Sequence, residues 1–304
     1  MAARATRSAS RKARLTEAVA TGPLGALSHD ELGVIFDGLA DPLQPVVAVA
    51  LSSTCLGLRT PLGAVLEVLK ERHARAVALC RKMKMSCAEL LYSEDLYWGE
   101  QGLTAGDMAT LGMILRTNGL PKLKELHLPY NNFGDAGMQA LCAGLGPGAA
   151  PSLPTLDIEG NHFGPAGAEA FAAALHRGAM PKLEWLLLQG NPIGNQGAAA
   201  LATPLRELPA LRALGLPKCD IDDEGVTSLI ANLGKDDFKA LQHLMLAENK
   251  ITDAGMASLA AAIDAGRLPR LHNHHGLNKW FLQGNHASAS AFQAVKDALA
   301  KRSQ

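Results

Sequence analysis

Aromatic side chains are scarce in this 304-residue sequence: tryptophan, tyrosine and phenylalanine together make up 4% of it, and tryptophan occurs three times. Any core must therefore be built mainly from aliphatic residues. Cysteine is also sparse. Cys55, Cys80, Cys87, Cys142 and Cys219 are odd in number and widely spaced, and no C-x-x-C occurs. That argues against a disulfide framework or a zinc cage, and for small buried thiols in a reducing compartment. An excess of one charge is missing as well: 29 basic side chains face 29 acidic ones, which excludes a strongly basic nucleic-acid binder. Long apolar runs are absent. The stretch 46–51 is typical, far short of the roughly 18 residues that a membrane-crossing helix needs. What is abundant is apolar residues in short pieces, 48% of the chain, enough for a sizeable core and too many for a wholly disordered chain.

The charge balance conceals a division. Residues 1–85 carry 12 basic and 7 acidic side chains, a net of +5, and residues 86–304 carry 17 and 22, a net of −5. The length suits about two domains. The first sixteen residues include Arg4, Arg7, Arg11, Lys12 and Arg14 among serines and alanines, with no acid. Residues 1–22 read as a disordered, solvated basic tail. A nuclear-import signal around residues 10–14 is a second reading, and a transit peptide, which should show an apolar helix face, a third. The expected location is the cytoplasm, with the nucleus as the alternative.

Residues 86–304 are organised by a repeat. Leu123, Leu126, Leu128, Asn131, Gly137 and Leu141 recur thirty residues on as Leu153, Leu156, Ile158, Asn161, Gly167 and Phe171. The next copy is Leu183, Leu186, Leu188, Asn191, Gly197 and Leu201. After a step of 28 come Leu211, Leu214, Leu216, Cys219, Gly225 and Leu229, then Leu241, Leu244, Leu246, Asn249, Gly255 and Leu259. Weaker copies flank these five. Leu96, Trp98, Gln101 and Leu103 stand upstream; Leu277, Trp280, Leu282 and Asn285 stand downstream after a six-residue insertion. Atypical end copies are expected of a repeat array.

This pattern resembles leucine-rich repeats of the ribonuclease-inhibitor type, whose coils carry a strand and a full helix. The resemblance implies an α/β solenoid of about seven coils with a curved parallel sheet. Local chemistry agrees. Leucines two apart share one face of a strand. Residues 137–145 show helical spacing, Asp222 and Thr252 suit helix N-caps, and Pro165 suits the first helical position. Ala140, Ala170, Ala200 and Ala257 should let helices approach closely. In this family the asparagine column (Asn131, Asn161, Asn191, Asn249, Asn285) satisfies backbone groups of adjacent coils, and Cys219 fills the same slot as structure rather than chemistry.

Side chains alternating with the inward leucines should line the concave sheet. One outward column is Tyr97, His127, Asp157, Leu187, Gly215, Met245 and Phe281; the other is Asp95, Glu125, Thr155, Trp185, Ala213, His243 and Lys279. With strands about 4.8 Å apart, seven coils expose a strip roughly 30 Å long. Its early part is acidic, with Glu159 added, and its later part is apolar. The expected partner-binding set is Tyr97, Glu125, His127, Asp157, Glu159, Trp185, Leu187, His243, Met245 and Phe281. An outward tryptophan beside an outward leucine suggests a protein anchor.

Residues 23–85 form a separate helical module. Leu24, Leu27, Leu32, Ile35, Phe36 and Leu39 recur at helical spacing. Their order is similar to an F-box, and these six residues would then contact a Skp-type adaptor of a cullin ubiquitin ligase. Ser28 stands where proline is usual, and no tryptophan follows Cys55. A generic helical cap is the other reading. Residues 62–85 read as one helix with Val65, Leu66, Val68, Leu69 and Val77 inward and a basic outer face.

No nucleotide-binding, zinc-protease or nucleophile-elbow motif occurs in a fitting context. His127 and Asp157 should be neighbours, yet no serine or cysteine nucleophile lies in the outward columns. His272, His274 and His275 resemble a metal site but sit in the insertion without a rigid fourth ligand, so neither a metal nor a cofactor is expected. The resulting expectation is a non-catalytic protein-binding module on the concave sheet, an F-box substrate receptor if the resemblance of residues 24–59 holds. Two alternatives stand beside it. One is a GTPase-activating protein, since the repeat type resembles Ran GTPase-activating proteins, although the strongly acidic tail common in that family is missing. The other is a structural scaffold subunit. A membrane is not an expected partner, and nucleic acid is disfavoured.

Overall fold

The computed structural model describes residues 41–46, 49–50, 63–117, 120–147, 149–234, 236–271 and 281–301. The F-box-like residues Leu24, Leu27, Leu32, Ile35, Phe36 and Leu39 and the histidine tract at 272, 274 and 275 lie outside them. The chain divides into two compact units, Met1–Leu90 and Leu91–Gln304.

In the first unit, helix α1 (Gly63–Lys82) lies within the helix expected over 62–85. Its buried stripe is Leu69, Ala76, Leu79 and Cys80. The expected inward set is therefore corrected at Val68, which is 44% exposed, while Val65, Leu66 and Val77 are half-buried. Neighbouring helical residues lie about 100° apart, so a stripe centred on Leu69 turns Val68 away. Of the basic residues expected on the outer face, Lys70, Arg75, Arg81, Lys82 and Lys84 are exposed and Arg72 is half-buried. Helix α2 (Cys87–Tyr92) begins with a reciprocal cap: Ser86 N–H donates to Glu89 Oε2 at 2.6 Å, and Glu89 N–H donates to Ser86 Oγ at 3.1 Å.

The second unit alternates strands and helices. Strands β1 (Asp95–Tyr97), β2 (Glu125–His127), β3 (Thr155–Asp157), β4 (Trp185–Leu187), β5 (Ala213–Gly215) and β6 (His243–Met245) form one parallel sheet in sequence order. Between and after them lie α3 (Ala105–Thr117), α4 (Gly134–Gly144), α5 (Pro165–His176), α6 (Gly194–Glu207), α7 (Asp223–Ile230), α8 (Asp253–Asp264) and α9 (Ala289–Ala300). This is the α/β solenoid expected from the repeat. The central strand residues Leu96, Leu126, Leu156, Leu186, Leu214 and Leu244 are buried, and so are the next leucine-type positions from Trp98 to Leu246. Each consecutive pair of helices from α3 to α9 is in contact. Packed helices need about 8–10 Å between axes and paired strands about 4.8 Å, so the two layers must curve with the strands on the inner side.

Three devices lock coil to coil. The asparagine column does what the resemblance implied. Asn161 donates its amide N–H to Leu128 O and Ile158 O at 2.8 and 2.9 Å, and its Oδ1 accepts Asn131 N–H at 2.8 Å. Asn131, Asn191, Asn249 and Asn285 repeat the arrangement. A second column, not anticipated, caps helix starts from the preceding coil. Asp135 Oδ1 accepts Gly164 and Gly167 N–H at 2.8 and 2.7 Å, Asp223 Oδ1 accepts Thr252 and Gly255 N–H, and Asp253 accepts Ser288 N–H. Asn195 plays this part toward Asp222, while the same slot in the third coil holds Pro165. The third device is the fixed glycine. A Cβ on Gly167 would stand 2.8 Å from both Asp135 Oδ1 and Phe163 Cβ, and one on Gly225 would stand 2.6 Å from Asn195 Oδ1. Only a missing side chain admits the cap.

The N-cap roles of Asp222 and Thr252 and the first-turn Pro165 are as read from the sequence. The closest helix approach differs. Ala257 is exposed and Ala140, Ala170 and Ala200 are half-buried. The tight crossing is at Gly112 and Gly144, where a Cβ on Gly144 would lie 2.2 Å from the Gly112 backbone. Six strands are formed among the described residues, and residues 272–280 of the seventh coil lie outside them. The last coil still joins the ladder: Leu246 N–H donates to Phe281 O at 2.6 Å, and the Asn285 amide donates to Leu246 O at 2.8 Å.

Candidate functional site

The strand register builds the open sheet face residue by residue. Asp95, Glu125, Thr155, Trp185, Ala213 and His243 stand opposite one another in one row, and Tyr97, His127, Asp157, Leu187, Gly215 and Met245 in the other. These are the two columns expected from alternation.

At the β1–β3 end the row is acidic and aromatic. The Tyr97 and His127 rings stack with centroids 4.8 Å apart, and the Tyr97 hydroxyl donates to Glu125 Oε2 at 2.7 Å. His127 bridges two carboxylates, with Nε2 3.2 Å from Glu125 Oε2 and Nδ1 3.3 Å from Asp157 Oδ2. The hydrogen bond from Tyr97, then that from His127, holds the Glu125 carboxyl below its ordinary range, so it stays charged; the same bond raises the Tyr97 phenol. Tyr130, half-exposed at 53%, donates its hydroxyl to Glu159 Oε1, and Gln189 Nε2 donates to the same oxygen at 2.5 Å. The bond to Glu159 pushes the Tyr130 phenol up to about 12.

The β4–β6 end is apolar, and its shape comes from β5. Ala213 and Gly215 are buried and leave a notch. Over it the Trp185 and His243 rings stack at 5.7 Å, and His243 meets Phe281 at 6.1 Å. A Cβ on Gly215 would lie 3.0 Å from Leu187 Cδ2 and 3.4 Å from Met245 Cε, so these two side chains close over the glycine. Trp185 remains 41% exposed, while Leu187, His243, Met245 and Phe281 are half-buried.

Of the expected partner-binding set, Tyr97 and Trp185 are the most open and Asp157, at 9%, is the most covered. Asp157 positions its neighbours instead, meeting His127 and accepting Glu159 N–H at 3.1 Å. Tyr130 and Gln189 join this cluster and were not in the expected set, although Gln189 stands one thirty-residue repeat after Glu159, a periodicity that could have found it. Tyr130 also has a left-handed backbone, φ 55°, in a column that coils three and four fill with Gly160 and Gly190. Tyrosine in that conformation carries strain that glycine would not.

The His127–Asp157 pair could hold an imidazole for proton transfer, but no serine or cysteine stands in the outward rows of β1–β6 to act as its nucleophile. Burial pushes the Cys142 and Cys219 thiols up to about 12, which keeps them protonated and unreactive. Among the described residues no group of three or more histidine, cysteine or acidic side chains could hold a metal ion.

Comparison with known proteins agrees with this geometry. A family model described as Leucine Rich repeat matches residues 119–142, 149–172, 179–202 and 240–260, so leucine-rich repeats are present. The unmatched coil between the last two segments is the one with the 28-residue step and Cys219. No curated protein matches the chain. Among solved structures, one similar chain comes from the crystal structure of the Rad7 and Elc1 complex in yeast. It has 16% identity and a TM-score of 0.43, and the match covers 57% of this chain and 39% of that one, a likeness too slight to bear on partner or activity.

Proposed function

We propose that this chain is a protein-recognition module of the ribonuclease-inhibitor repeat form, without chemistry of its own, that grips a partner on the inner face of β1–β6. The observation that carries the reading is Trp185. A large aromatic residue 41% exposed, on a strand of an otherwise leucine-filled scaffold, stands beside Leu187 and Met245 as a ready anchor. Covering such an anchor typically contributes about 2–4 kcal/mol to association. The leucine-rich repeats support the reading, since stacked coils offer a long rigid surface.

The resemblance of residues 24–59 to an F-box gives the proposal its finer form. The inner face would hold a substrate while a Skp-type adaptor, bound through Leu24, Leu27, Leu32, Ile35, Phe36 and Leu39, recruits a ligase; modification then follows from proximity.

The test is affinity capture with the wild-type chain beside the Trp185→Ala/Leu187→Ala variant, followed by binding of each captured protein in purified form. A partner should be lost from the variant while its circular dichroism is unchanged. Equal capture by both would refute the inner-face reading. Co-expression with a Skp adaptor addresses the finer form, and an adaptor that fails to co-purify would remove it.

A further inference from the structure

The docking reading names a face; the chemistry of that face names the kind of segment it takes, and this inference rests on that reading. None of the twelve outward strand positions of β1–β6 is lysine or arginine, whereas Asp95, Glu125 and Asp157 are acidic. Three cations flanking the strands are paired: Lys124 with Glu94 at 2.6 Å, Arg212 with Glu184 at 3.2 Å and Lys218 with Glu248 at 3.2 Å. Negative charge is thus left over at the β1–β3 end. There Tyr97, 66% exposed, offers a ring beside carboxylates, a setting that attracts a guanidinium or ammonium group. The β4–β6 end offers Trp185 and the Leu187–Met245 roof and no formal charge.

We propose that the occupant is an extended, basic protein segment, with an arginine or lysine over Tyr97 between Asp95 and Glu125 and a large apolar side chain on Trp185, Leu187 and Met245. The strands carrying Tyr97 and Trp185 are three apart, about 14 Å at 4.8 Å per strand, which an extended chain crosses in about four residues. The basic and apolar residues of the segment therefore stand about four positions apart. Nucleic acid is excluded as the occupant by the same charge, since its phosphates would meet carboxylates.

Fluorescence anisotropy of the full chain with labelled synthetic dodecapeptides tests this. On a glycine–serine background, one probe carries two arginines and a phenylalanine four positions away, a second replaces the arginines by glutamates, and a third places arginines and phenylalanine adjacent. The first should bind tightest, and raising the salt from 50 to 200 mM should weaken it about fivefold. Asp95→Asn/Glu125→Gln should weaken it about tenfold and flatten the salt dependence. Trp185→Ala should also weaken it about tenfold, while Glu169→Gln on α5 should change nothing. The inference is overturned if the glutamate probe binds as well as the arginine probe, if no probe binds, or if the double variant and Glu169→Gln act alike. Should the glutamate probe bind and be lost in Trp185→Ala alone, the docking face stands and the basic partner falls. Should the arginine probe bind with no face variant affecting it, both fall.

Discussion

At the scale of single residues, the amide at the turn after each strand does most to join the coils. Asn161 is fully buried and makes hydrogen bonds to two coils, so truncating it leaves several backbone groups without partners. Asn161→Ala should destabilise the protein by about 3 kcal/mol, read from urea unfolding. Cys219 is the complementary case. Its thiol reaches Leu188 O at 3.4 Å but brings no amide oxygen, and Ile193 N–H bonds Asn191 O of its own turn instead. Cys219→Asn should therefore stabilise by roughly 1 kcal/mol, the net worth of a well-formed bond or two, measured by the same unfolding midpoint. The asparagine column was legible in the sequence because one residue type recurs at one phase. The Asp135, Pro165, Asn195, Asp223 and Asp253 column was not, because its members differ in chemistry and act on backbone about thirty residues downstream.

At the scale of elements, helix starts are crowded by the coil before them. Replacing Gly225 by alanine gains helix propensity of at most about 1 kcal/mol. The new Cβ would press within 2.7 Å of Ile221 Cγ2 and 2.6 Å of Asn195 Oδ1, overpacking that costs about 1–3 kcal/mol. The clash wins, and Gly225→Ala should lower the melting temperature. The caps also set a pH dependence. Hydrogen bonds from Asn195, then from Glu224 N–H, depress the Asp222 carboxyl. A carboxylate whose folded pKa lies below its unfolded value, about 3.9, gives its full stabilisation above that value and loses it as pH falls through the folded one. Stability should thus drop on acidification below about pH 4, and Asp222→Asn should show a shallower drop in a pH series of unfolding midpoints. Strands and helices could be read from the repeat because leucine spacing fixes which side faces in, and the N-caps Asp222 and Thr252 from their residue types. The burial of α1 could not, since its apolar residues ring more than one side and packing alone chooses Leu69 over Val68.

At the scale of the molecule, a stack of coils is held by neighbour-to-neighbour contacts, so stability varies along its length. The junction between the β4 and β5 coils lacks the asparagine bond that the others have. Amide hydrogen exchange should therefore show α7 and β5 opening more readily than β2 and β3, and Cys219→Asn should narrow the difference. The outward rows could be written down before any coordinates because alternation along a strand is strict. What the sequence could not convey is that side chains two coils apart meet, as Trp185 and His243 do above Ala213 and Gly215. For anyone hoping to retarget this scaffold by transplanting repeats, that bridge sets the smallest movable block at three. Grafting a sibling with bulky residues into the fifth place would wedge its flanking coils apart and erase the contact surface on both sides at once.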